Sequence, residues 1–237
     1  MTLAERVIVA LDVEQAESAR RLVAHLGDAA VAYKIGLQLL TADGPALARE
    51  LAAAGKQVFL DLKLLEIPHS VAGAVTAAGT LGATLVTVHA SGGSAVLRAA
   101  VEAARPFPQL RVLALTVITS LRDADLPEIG LAPDVEAQVL RLARLAAAAG
   151  CHGVVASARE AALLKQQLPP GALIVTPGTQ PAGMARNDQA RTATPAEALR
   201  AGATHVVIGR AITQAAAPLA AFDAVCRSLD DEVPACP

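Results

Sequence analysis

The stretch 58–70, VFLDLKLLEIPHS, ends an apolar run on Asp61, Lys63 and, three residues further on, Glu66. Side chains alternate along a strand, so Asp61 and Lys63 share one face. Among Val58, Phe59, Leu60 and Leu62 they place charge at the end of a buried strand, where an unpaired charge costs several kcal/mol or more. Function is the usual reason for a chain to accept that cost. A plain ion pair at a rim satisfies the same spacing. The two readings separate on whether other polar residues fall at equivalent places along the chain.

They do. Short β-branched runs at 6–11, 32–35, 57–62, 84–88, 112–117, 153–156, 173–176 and 204–208 read as eight strands. Amphipathic helical stretches lie between them at 15–26, 45–54, 70–81, 94–104, 135–149, 158–167 and 195–201, and 212–229 closes the chain. Gly55, Gly82, Gly150 and Gly202 each follow a helix as C-cap glycines do. Eight βα units in 237 residues have the size and pattern of a single-domain α/β fold, the (β/α)8 TIM barrel, whose active site lies at the carboxyl ends of the strands. An open doubly wound sheet is the alternative. The expected strand ends carry Asp12, Lys34, Asp61 with Lys63, His89, Thr116 with Thr119, Ser157, Pro177 with Gly178, and Gly209 with Arg210. The opposite ends carry little polar chemistry.

A second region, VTPGTQPAGMARNDQAR at 175–191 followed by HVVIGRAIT at 205–213, suits phosphate. Barrels commonly hold that group on the loops after strands seven and eight, with backbone N–H groups at a helix start. Gly209 allows close backbone approach, Arg210 offers a bidentate grip, and Gln180 and Gln189 can donate from the intervening loop. The mixed Gly, Pro and polar segment 179–187 is expected to be a mobile surface loop able to close over the site.

Bulk properties narrow the class of ligand. A net charge of −2, 2% aromatics and no Trp argue against a nucleic-acid surface and point to a small molecule. Three cysteines without CxxC spacing suggest neither a disulfide framework nor structural zinc. With no basic leader and no run of 18 apolar residues, the expectation is a cytoplasmic protein without a membrane segment. The barrel domain is expected over 1–229, and the acidic, proline-containing 230–237 as a disordered tail.

The motifs, taken in order, resemble those of bacterial orotidine 5′-phosphate decarboxylases over nearly the whole length: VIVALD, YKIG, FLDLKLLEIPHSV, VTVHASGG, ALTVITSL, HGVVASARE, VTPG, NDQAR and VVIGRAIT. The resemblance implies cofactor-free, metal-free decarboxylation of orotidine 5′-monophosphate to uridine 5′-monophosphate, in a homodimer with shared active sites. It implies Lys63 as the acid that protonates C6, Asp61 as the carboxylate that aims Lys63 beside the substrate carboxylate, and position 66 as a group reaching the partner's site. It further implies Asp12 and Lys34 at the ribose hydroxyls, Thr119 at the pyrimidine, Ile67 and Pro68 in the wall around the base, and Ser70 in the same motif. Gln180, Gln189, Gly209 and Arg210 follow as the phosphate site, with Pro177 among the substrate-binding residues. His89 reads as structural support.

The chain departs from the family pattern in carrying Glu66 for Asp and Ser70 for Thr. Serine keeps the hydroxyl, but glutamate adds a methylene, which moves a carboxylate by more than the roughly 0.5 Å that catalytic constellations tolerate. His69 and Gln180 replace residues that are more often Asn and Arg. Two alternatives stand beside the decarboxylase. Magnesium-dependent sugar-phosphate decarboxylases or synthases of the same superfamily end their second strand in a metal-binding Glu, where this chain has Lys34. A non-catalytic nucleotide-binding barrel need not keep Lys63 with Asp61.

Overall fold

Val, Ile, Leu and Ala fill short runs that are apolar on both faces, the pattern of strands covered inside and out. In the computed structural model, which describes residues 2–181 and 193–232, these runs form eight parallel strands: β1 Val7–Ala10, β2 Ala32–Gly36, β3 Gln57–Leu64, β4 Leu85–His89, β5 Arg111–Leu115, β6 Gly153–Val155, β7 Leu173–Thr176 and β8 His205–Ile208. They close in chain order, with β8 pairing back onto β1 through Ile8 and Val207. The architecture is the (β/α)8 barrel.

Two cores result. Ile8, Ala10, Ala32, Phe59, Leu85, Leu113, Leu115, Val155, Val175 and Val207 fill the barrel interior. A larger layer between strands and helices includes Val9, Tyr33, Leu60, Val86, Ala114, Val154 and Ile208. Residues two apart on a strand point the same way, so the interior set fixes what comes next at the carboxyl ends. Ala10 is followed inward by Asp12, Ala32 by Lys34, Phe59 by Asp61, Leu85 by Thr87, Val155 by Ser157, Val175 by Pro177 and Val207 by Gly209. At Gly153 a Cβ would collide with the backbone carbonyl and Cβ of Leu173, so the tight β6–β7 approach requires glycine there.

The helices are α1 Ala16–Leu26, α2 Leu37–Ala53, α3 Pro68–Thr80, α4 Gly93–Ala104, α5 Val135–Ala148, α6 Ala161–Gln167, α7 Pro195–Ala201, α8 Arg210–Thr213 and α9 Pro218–Glu232. Three differ from expectation. α2 contains the helix expected from 45, with Pro45 near its start, but a short helical segment at 37–42 precedes it across the non-helical Asp43. The segment expected as one helix over 212–229 divides into α8 and α9, the latter opening on Pro218, a favoured first helical residue. α9 also carries three residues past the expected boundary at 229, to Glu232, while 233–237 lie outside the described residues. Gly55, Gly82, Gly150 and Gly202 all take positive φ, as helix-terminating glycines do. Among the described residues Cys151 and Cys226 are free thiols, and no helix is long and apolar enough to cross a membrane.

Candidate active site

A cavity of about 570 Å³ opens at the carboxyl ends of the strands. Asp12, Lys34, Asp61, Lys63, Thr119, Pro177, Gln180, Gly209 and Arg210 all line it. Gln189 lies outside the described residues, as does most of the segment expected as a closing loop.

The floor is a chain of alternating charge. Lys34 Nζ lies 2.8 Å from Asp12 Oδ1 and 3.7 Å from Asp61 Oδ2, and Lys63 Nζ lies 2.8 Å from the same Asp61 Oδ2. Lys34 and Asp61 are buried, with side chains 10% and 12% exposed, whereas Asp12 is half exposed. Each buried charge therefore has an opposite charge beside it, the condition under which burial is tolerated.

Alternation along β3 does not by itself deliver Lys63. Leu60 pairs with Val86 and Leu64 with Val88, so three residues of β3 stand opposite the single Thr87 of β4. Lys63 sits in this bulge with φ of 48°, the left-handed region, and is the one non-glycine residue with positive φ among those described. The side chain comes back to Asp61 through the bulge. Thr87, fully buried, binds the turn from below: the Lys63 N–H donates to Thr87 Oγ1 and the Thr87 hydroxyl donates to Asp61 Oδ1, both at 2.9 Å. Sequence reasoning missed Thr87, although a polar residue on the interior face of LVTVH was the available signal.

His89, two residues beyond Thr87, is half-buried. Its Nδ1 accepts from the Ser91 N–H at 3.3 Å and lies 2.7 Å from Ser91 Oγ. Burial, and then the charge of Lys63, push its pKa below the ordinary imidazole value. His152 and His205 lie at the amino-terminal ends of β6 and β8, away from the cavity, where His152 Nδ1 accepts from the Val112 N–H. Among the described residues no group of three or more His, Cys, Asp or Glu is placed to hold a metal ion.

Glu66, Ile67 and Ser70 lie outside the cavity lining, at the start of α3. Glu66 is exposed, and hydrogen bonds from the Ser70 hydroxyl and then the Ile67 N–H hold its carboxyl below the usual range. Leu65 and Ile67 beside it are 58% and 61% exposed. On the opposite rim, Thr179 Oγ1 donates to the Val207 carbonyl at 3.1 Å and the Gln180 N–H donates to the Ala193 carbonyl at 3.2 Å. The base of the loop after β7 is thereby tied to β8 and to the approach to α7. Gly209 then leads directly into α8, with Arg210 its first residue. Ser120, Gln38 and Gln214 also line the cavity and were not anticipated.

A parallel (β/α)8 barrel with paired carboxylates and ammoniums at its mouth, and a glycine-led arginine after β8, defines the class of barrel enzymes with a charged site at the carboxyl ends of their strands. The sequence pattern of the orotidine 5′-phosphate decarboxylase / HUMPS family matches residues 5–225, and the chain belongs to that family. It is 48% identical to the orotidine 5′-phosphate decarboxylase of Anaeromyxobacter dehalogenans over 229 residues, covering 97% of this chain and 100% of that one. Identity to the Caulobacter vibrioides orotidine 5′-phosphate decarboxylase is 50% over 222 residues, covering 92% and 94%. Among solved structures, the Lactobacillus acidophilus orotidine 5′-phosphate decarboxylase superposes with a TM-score of 0.85 at 33% identity, covering 95% of this chain and 99% of that one.

Proposed function

We propose that the cavity takes orotidine 5′-monophosphate and releases uridine 5′-monophosphate and carbon dioxide, without a cofactor, as the last step of pyrimidine synthesis. The observation that carries this reading is the Lys63 ammonium held 2.8 Å from a buried carboxylate at the mouth of the barrel. Breaking the bond between C6 and the carboxylate leaves an electron pair on C6 with little delocalisation available. Its stabilisation must come from fixed charge and hydrogen bonds already in place. Lys63 supplies that charge and then transfers a proton to C6, so the pair ends in a C–H bond and solvent returns the proton to the amine. Asp61 aims the ammonium and lies beside the departing carboxylate.

Asp12 and Lys34 bind the ribose hydroxyls, and Thr119 contacts the pyrimidine. Gln180, Gln189, Gly209 and Arg210 hold the phosphate, and Pro177 lines the substrate cavity. Ile67 and Ser70 belong to the rim, and Glu66 reaches the site of a second copy in a homodimer with shared active sites. Exposed Leu65 and Ile67 flanking Glu66 support a protein-covered rim. The working compartment is the cytoplasm.

The test is ultraviolet absorbance of purified protein with orotidine 5′-monophosphate in EDTA. Rapid conversion is expected, together with loss of turnover but retained uridine 5′-monophosphate binding in Lys63→Ala. Unchanged turnover in that variant removes Lys63 from the mechanism. A wild-type protein that binds product without converting substrate is a nucleotide-binding barrel.

A further inference from the structure

The bulge in β3 leaves a backbone problem at the residue on which the chemistry rests. Once three residues face Thr87 alone, the Lys63 N–H has no ladder carbonyl opposite it. A shielded N–H without a partner is unfavourable, and a lysine in the left-handed region adds backbone strain. The Thr87 hydroxyl meets the first cost by accepting from that N–H at 2.9 Å.

A hydroxyl has one proton to give, and Thr87 gives it to Asp61 Oδ1. With Oδ1 engaged, Asp61 turns Oδ2 toward Lys63 Nζ at 2.8 Å and Lys34 Nζ at 3.7 Å. One side chain thereby binds both the backbone that launches the ammonium and the carboxylate that receives it. The fully buried Thr116 is used differently, since its hydroxyl donates to the Val155 carbonyl.

We propose that Thr87 is a positioning residue for the reaction: its hydroxyl fixes the left-handed turn at Lys63 and the plane of the Asp61 carboxylate together, and so sets the aim of the ammonium. Its catalytic consequence rests on the decarboxylase reading above. The conformational part does not. Displacing a reacting group by an ångström costs about 100-fold in rate, whereas the phosphate contacts and Asp12 lie on other strands and Lys34 keeps its closer partner Asp12 at 2.8 Å. The signature is therefore a fall in kcat with little change in KM.

Three variants separate position from packing. Thr87→Val keeps shape and removes the hydroxyl, Thr87→Cys is smaller with a weak donor, and Thr87→Ser keeps the hydroxyl. The expected result is a kcat about 100-fold lower for Thr87→Val and Thr87→Cys with KM within about threefold, and Thr87→Ser within about threefold of wild type in both. In the ligand-free protein, hydrogen exchange at the Lys63 amide is expected to quicken in the Val and Cys variants and not in Ser. If Thr87→Val fails to fold, the Cys–Ser comparison decides. The proposal is overturned if Thr87→Cys keeps its kcat, if Thr87→Ser is as impaired as Thr87→Cys, if the loss falls on KM, or if exchange at Lys63 does not change. Failure of the wild type to convert orotidine 5′-monophosphate sinks the decarboxylase reading, and the exchange measurement still decides the clamp.

Discussion

Replacing Lys34 by methionine keeps most of the side-chain volume and removes the charge that sits between Asp12 and Asp61. The structure apportions the cost. At 3.7 Å, with an effective dielectric constant near 20, the attraction between Lys34 and Asp61 is about 4 kcal/mol before desolvation is counted. Removing one member of a buried pair costs about 3–5 kcal/mol. Asp61, however, keeps Lys63 and the Thr87 hydroxyl, which brings the expectation to about 2–3 kcal/mol. For a chain of this size, that lowers Tm by roughly 5–10 °C in a calorimetric scan. Asp12, half exposed, regains water and contributes about 1 kcal/mol or less. The decisive double variant joins Lys34→Met to Asp61→Asn, which relieves the stranded carboxylate and should recover about 1–2 kcal/mol relative to Lys34→Met alone. A Lys34→Met protein within about 1 °C of wild type, or a double variant less stable than Lys34→Met, refutes the reasoning. In the Lys34→Met protein kcat/KM for orotidine 5′-monophosphate should fall about 100-fold, equivalent to about 2.7 kcal/mol of transition-state stabilisation.

Gly36→Ala places a Cβ 3.0 Å from Asp12 Oδ1 and 3.2 Å from Lys34 Nζ on extended backbone that alanine adopts freely. KM should rise about tenfold while Tm stays within about 2 °C, and a normal KM removes the Asp12–Lys34 pair from substrate binding. Glu66→Asp should retain or improve turnover, and a large loss in that variant marks glutamate as the fitted residue. His205 has its pKa pushed down to about 4 from 6.5 by burial and then by the charge of Arg6. Between those values the unfolded chain binds a proton that the folded one refuses. Stability is therefore complete above about pH 6.5 and falls by up to about 3 kcal/mol as pH drops toward 4. His205→Gln should flatten that part of a Tm–pH curve, and an unchanged slope assigns it to other groups.

The strands were legible because each is a short apolar run between alanine-rich helices, and their closure followed from the count. The site was legible for a related reason: interior-facing Ala10, Ala32, Phe59, Val175 and Val207 are each followed two residues on by Asp12, Lys34, Asp61, Pro177 and Gly209. Lys63 marks where period-two reasoning ran out. Its side chain reaches Asp61 through a bulge and a left-handed residue, neither of which has a local signature in FLDLKLL. Thr87 went unread because threonine is an ordinary strand former, and only the bulge opposite turns its hydroxyl into a partner for two groups at once. The short helical segment at 37–42 went unread because Pro45 marked the start of the next helix beyond the kink at Asp43.

The left-handed backbone at Lys63 sets heat resistance against turnover. Glycine occupies that conformation without penalty and asparagine nearly so, while lysine holds it at roughly 1–2 kcal/mol. Because either replacement also strands Asp61, laboratory evolution scored on survival of heating alone drives position 63 toward those residues together with a neutral residue at 61, and yields a sturdier barrel with a silent mouth. Screens that aim to stabilise this chain have to count product in every round.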